Sequence, residues 1–296
     1  MRFLKLSLLF LLISGFAYAQ KWEVGKTYTD DEKWTEFTVG NIPLIISVPH
    51  GGIITLPHEA ARDCKGAVTV TDSKTIELAK EIEKVFLEKY HARPFIILSN
   101  LSRKHLDQNR DIEEATCGNK ALEKTWHQFH DNIDTAIALA TKKFGKAIYI
   151  DLHGHGHTKQ RLELGYNLTA TDLRKPDVEK NQLAEKSSVA NLLASQKNLD
   201  LVQLLTGETA FGTLITSAGF DAVPAKQDIA PLEEDKYFSG GYNTRRYTSI
   251  KYPNVFGWQI ESNFKGVRDA AGRPAFAKAF VEVMAQYFKI HLNTSF

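Results

Sequence analysis

Four short runs of β-branched, aliphatic and aromatic residues limit what this chain can fold into: Leu44-Ile45-Ile46-Ser47-Val48, Phe95-Ile96-Ile97-Leu98, Ala147-Ile148-Tyr149-Ile150 and Val255-Phe256-Gly257-Trp258-Gln259-Ile260-Glu261. Apolar runs this short and continuous suit strands buried on both faces, as in parallel sheets. The segments between them carry a helical period. Residues 75–90 place Ile76, Ala79, Ile82, Val85 and Phe86 on one face, and residues 121–144 do the same with Trp126, Phe129, Ile133, Ile137 and Ala140 before stopping at Gly145, where a C-terminal glycine belongs. Residues 274–292 read as a closing amphipathic helix. Alternating strand and helix predict an α/β fold, a mostly parallel or mixed central sheet flanked by helices. Residues 36–39 are expected to pair with 44–48 across a Gly40-Asn41 turn. Residues 171–198 are polar with helical patches, and 211–238, rich in Gly, Ala, Asp and Pro, read as long excursions over the sheet. Loops of that length are unusual unless they line a site.

Residues 1–19 stand apart. Arg2 and Lys5 precede an apolar run from Leu6 to Phe16 that closes on Ala17-Tyr18-Ala19, the pattern of a secretory signal peptide. The run is short for a bilayer span of about 20 residues, so no membrane anchor is expected. Residues 20–296 then form a single large domain, secreted or periplasmic. Removing Arg2 and Lys5 takes the formal net charge from +2 to neutrality, which argues against a nucleic-acid partner or an anionic-membrane surface. Cys64 and Cys117 are too few for a disulfide scaffold or a four-cysteine zinc site. Whether they pair stays open, as does the oligomeric state.

Polar motifs follow three of the apolar runs at once: Pro49-His50-Gly51-Gly52, then Ser102-Arg103 with Asp107-Gln108-Asn109-Arg110, then Asp151-Leu152-His153-Gly154-His155-Gly156-His157. Strand ends are where α/β sheets present ligands. Two imidazoles and a carboxylate make a hydrolytic zinc site, and His50 and His153 are the candidate imidazoles. Asp72 is the candidate carboxylate, although an aspartate before a helix is also an ordinary N-cap. His155 and its neighbours suit substrate orientation or proton shuttling, with Asp151 behind a metal ligand. Asn109 and Arg110 suit a substrate carboxylate, and Arg103 a developing oxyanion. The acidic residues around these arginines also fit plain ion pairs. Glu261, at a strand end, is placed to move a proton from water to a leaving amine.

Together these motifs resemble the N-formylglutamate amidohydrolase family, whose fold is like that of the zinc carboxypeptidases and aspartoacylases. The resemblance spans residues 44–261 and includes Gly240-Gly241-Tyr242 and the strand ending at Glu261. It implies that His50, Asp72 and His153 hold zinc, that Arg103 polarises a carbonyl, that Asn109 and Arg110 grip an acidic group, and that Glu261 is the general base. The chain lacks the HxxE spacing of the carboxypeptidases after His50, which makes Glu59 the alternative carboxylate ligand. The expected activity is zinc-dependent cleavage of an amide in a small-molecule N-acyl amino acid or short peptide. A pocket that binds acidic ligands without turnover and a metal-dependent esterase are the alternatives.

Overall fold

The computed structural model describes residues 21–295, so the segment read as an export signal, 1–19, lies outside the described residues. One eight-stranded sheet runs through them in the order β1-β2-β4-β3-β5-β8-β6-β7. The strands are β1 (Thr27–Thr29), β2 (Thr35–Thr38), β3 (Leu44–Val48), β4 (Phe95–Ser99), β5 (Ala147–Gly154), β6 (Leu162–Gly165), β7 (Ala222–Val223) and β8 (Val255–Ser262). The four apolar runs form the parallel centre β4-β3-β5-β8. Antiparallel β2 and β6 border that centre, making the sheet mixed.

The period-2 alternation of the strands sorts their side chains to two faces. Ile46, Val48, Ile96, Leu98, Ile148, Ile150, Phe256, Trp258 and Ile260 pack against the helices Thr75–Tyr90 and Arg273–His291. Ile45, Ile97, Tyr149 and Val255 face Phe129, Ile133 and Ala140 of the helix Glu123–Phe144. On this second face the apolar residues give way to Ser47, Asp151 and Gln259, adjacent in register, and one pleat further to His153, Glu261 and Glu163. The site is built on that row.

The expected pairing of 36–39 with 44–48 does not form. β2 pairs antiparallel with β4, which lies between it and β3. The reason is at the turn, where Asn41 donates its backbone N–H to Arg93 O (2.9 Å) and accepts from Arg93 N through Oδ1 (2.6 Å). A Cβ on Gly40 would fall 2.4 Å from Phe95 N. The bend receives the chain entering β4 instead of closing a hairpin. Residues 211–238 also differ from a pure loop, since Phe211–Ser217 is helical, with Phe211 and Ile215 buried. The disulfide is formed: Cys64 and Cys117 are bonded, their Cα atoms 5.5 Å apart. No helix of the described residues is long and apolar enough to cross a membrane.

Candidate metal centre

β3 delivers His50 into a sharp exit that only glycine permits. A Cβ on Gly52 would lie 2.3 Å from the Asn100 carbonyl carbon, and one on Gly51 2.6 Å from Thr75 Oγ1. The close approach of these backbones is the work of the glycine pair. The backbone N–H of Asp72 then donates to His50 O at 2.9 Å, holding the start of the next helix beside the strand end.

Asp72 is not the helix cap. Lys74 occupies the N-cap position of Thr75–Tyr90 without a side-chain bond. The Asp72 carboxylate turns inward, where Oδ2 lies 3.1 Å from His153 Nδ1 and 3.5 Å from His50 Nδ1 and accepts from Gly154 N at 3.2 Å. The three side chains are buried and each offers a ligand atom within 4.8 Å of the others. His50 Nδ1 is buried without a hydrogen-bond partner, an orphan that a cation would satisfy.

The outer nitrogens are anchored in parallel fashion. His50 Nε2 meets Asp107 Oδ1 at 2.6 Å, and His153 Nε2 meets Asp151 Oδ2 at 2.9 Å. A carboxylate behind each imidazole fixes the tautomer that directs Nδ1 inward, as metal-ligating histidines require. Asp151 is held in turn by Ser47 Oγ at 2.6 Å, and Asp107 accepts from Asn109 N and Arg103 Nε, each at 2.9 Å.

Burial alone would raise the carboxyl pKa of Asp72, but the His153 and His50 imidazoles beside it outweigh burial and hold the group well below the ordinary value. Asp107 is lowered in the same way, by His50 and then Arg103 against burial. Burial opposes charge on His153, yet Asp151, Asp72 and Glu261 surround it and raise it well above 6.5. Glu261 is pushed to about 8 by burial, with Asp72, Glu163 and Asp151 adding against the opposing effect of His153. It stands directly across from His153 on β8.

The remaining candidates fall in different places. Arg103 is one carboxylate away from His50, through Asp107. Arg110 is a third exposed and lies 3.6 Å from Glu114. Asn109 is buried, its Oδ1 accepting from Asn243 N at 2.8 Å and its Nδ2 3.2 Å from His153 Nε2. That amide spaces His153 from the 240–243 turn, so it positions rather than presents an open grip. A Cβ on Gly241 would strike it at 2.2 Å. His155 is likewise committed, Nε2 donating to Arg161 O (2.8 Å) and Nδ1 accepting from His157 N (3.1 Å). Glu59, the alternative ligand, is exposed and accepts from Asn119 Nδ2 at 2.9 Å; it is not in the cluster.

Sequence reasoning did not single out two buried cations. Arg62 donates to the carbonyls of Val68, Arg103 and Glu114, each at 3.1 Å. Arg268 donates to Ser262 O (3.0 Å), His155 O (2.8 Å) and Ser73 O. Their targets are main-chain carbonyls, several of them far off in the chain, which leave no pattern in a sequence. Asp107 had a visible signal, its place inside the arginine-asparagine motif.

No protein-family model matches this chain, and no curated protein matches it. Among solved structures, N-formylglutamate amidohydrolase from Ralstonia eutropha JMP134 aligns with a TM-score of 0.52 at 10% identity, over 87% of this chain and 98% of that one. A gene product from Agrobacterium tumefaciens gives 0.49 at 13% identity, over 85% and 92%. Succinylglutamate desuccinylase from Chromobacterium violaceum gives 0.33 at 10% identity, over 89% and 66%. At such identity the first likeness establishes the fold: the chain is folded like an amidohydrolase.

Proposed function

We propose that this chain is an exported zinc-dependent hydrolase that cleaves an amide bond in an N-acyl amino acid or short peptide. One observation carries the reading: two buried imidazoles turn Nδ1 toward the same Asp72 oxygen while a separate aspartate holds the Nε2 of each. Two nitrogens and one carboxylate oxygen match the donor set of a catalytic zinc site with a position left for water. When bound, the ion supplies Lewis acidity and lowers the pKa of its water from 15.7 to about 7.

The chain's own residues supply the rest. Glu261, raised to about 8, has a proton affinity matched to taking a proton from the attacking water and passing it to the departing amine near neutral pH. Asp107 fixes both His50 and Arg103, so the guanidinium that meets the developing oxyanion moves as one unit with a metal ligand. Arg110, the more exposed arginine of the motif, is assigned to the substrate's acidic group. The N-acyl amino acid class is supported by fold likeness to an N-formylglutamate amidohydrolase, and the export by the leader pattern of residues 1–19.

The test is activity on a panel of N-acyl amino acids and short peptides before and after chelation. Activity should vanish with the metal, return with zinc, and stay absent in His153→Ala. Full turnover by the metal-free protein refutes the mechanism.

A further inference from the structure

The three histidines of residues 153–157 do not serve one centre. His153 joins His50 and Asp72, whereas one nitrogen each from His155 and His157 lies within 4.8 Å of the other and of a Glu163 carboxylate oxygen. All three members of this second group are steadied from outside. His155 donates its Nε2–H to Arg161 O at 2.8 Å, so the lone pair lies on Nδ1, where it accepts from His157 N at 3.1 Å and would be taken over by a bound cation. Glu163 anchors Oε2 on the backbone N–H of Phe238 at 2.9 Å and keeps Oε1 for His157 Nδ1, 2.7 Å away. The His157 ring stacks on Phe238 with centroids 4.8 Å apart. Imidazole Nε2–H on a carbonyl and a carboxylate held by a backbone N–H are the outer contacts that orient metal ligands.

A second observation points to a cation. Glu163 and Glu261 sit directly opposite each other on β6 and β8, 1% and 6% exposed. The nearby guanidinium groups are turned elsewhere: Arg161 to Asp228 and Asp235 at 2.5 and 2.9 Å, Arg268 to three main-chain carbonyls.

We propose that His155, His157 and Glu163 bind a second divalent cation of the zinc type, leaving Glu261 in the row between two metal centres. Register supports that row, since His153, Glu261 and Glu163 are consecutive partners on β5, β8 and β6. Two imidazoles and a carboxylate select zinc or its borderline neighbours over magnesium or calcium. The second site does not depend on the first.

The experiment is titration of the metal-stripped full chain with zinc chloride, read by calorimetry and by elemental analysis after gel filtration. Wild type takes up two equivalents, His157→Ala and Glu163→Gln one, His153→Ala one, and the His153→Ala/His157→Ala double variant none. Cobalt(II) titration of the wild type, which needs no variant to fold, shows visible absorption growing to two equivalents. Saturation at one equivalent that His153→Ala abolishes and His157→Ala keeps overturns the second site and upholds the first. One equivalent lost in His157→Ala and kept in His153→Ala does the reverse. Two equivalents retained by both His157→Ala and Glu163→Gln also overturn the second site.

Discussion

At the scale of single residues, Glu261 has two separable consequences. If Glu261 is the proposed proton carrier, Glu261→Gln lowers kcat by about 10²–10⁴ while metal bound through His50 and His153 stays, read by steady-state kinetics beside metal analysis. Its second effect is on the metal-free fold. The folded pKa of about 8 lies above the ordinary 4.5, so between those values the native state keeps a proton that the unfolded chain releases. Stability from this group is therefore present below 4.5 and lost as pH rises through 8. Glu261→Gln removes the titration. Metal-free wild type and variant should melt alike near pH 4.5, and the variant should melt higher above pH 8, measured as Tm against pH. A variant that is less stable at high pH contradicts the assignment.

His50, Asp72, His153 and Glu261 were legible as types because each interrupts or ends an apolar run or precedes a periodic helix. Asp72 shows the limit of that reading. Its position before the helix fits a cap equally well, and only the meeting of β3 with β5 turns its carboxylate inward. Arg62 and Arg268 were not legible, because what they bond is backbone brought from elsewhere.

At the scale of elements, the central strands and three long helices follow from period alone. The helix expected over 121–144 begins at Glu123 after a short 3-10 turn and ends at Gly145 with φ of 78°. Strand order did not follow, since an open Gly-Asn bend reads as a hairpin until the chain that fills it is known. The same elements explain how ligand orientation is imposed. Asp151 comes from within β5, Asp107 from the loop after β4, and each faces a histidine from a strand end. Asp151→Asn and Asp107→Asn should each weaken zinc affinity about 10–100-fold, measured by chelator competition. The Asp107 change should cost more stability, because it also removes the countercharge of Arg103 and Arg62. A loss of catalysis with affinity unchanged would assign these aspartates some other role.

At the scale of the whole molecule, the Cys64–Cys117 bond joins the loop leaving β3 to the loop that carries Arg103, Asp107, Asn109 and Arg110. Arg62 clamps the same two segments through Arg103 O and Glu114 O. The proposed metal ligands rest mainly on the sheet, whereas Arg103 and Arg110 rest on the tethered loop. A bridge closing a loop across 53 residues stabilises by about 2–4 kcal/mol, chiefly by restricting the unfolded chain. Such a bond persists in an oxidising compartment, in keeping with the proposed export. Cys64→Ser/Cys117→Ser, or reduction of the wild type, should therefore lower Tm while zinc at His50, Asp72 and His153 is retained. Catalysis should suffer at the substrate's acidic group, with KM raised more than kcat is lowered. Equal zinc loss and activity loss on reduction would mean that the bridge supports the metal centre itself, and that the division between a sheet-borne metal site and a loop-borne substrate grip is wrong.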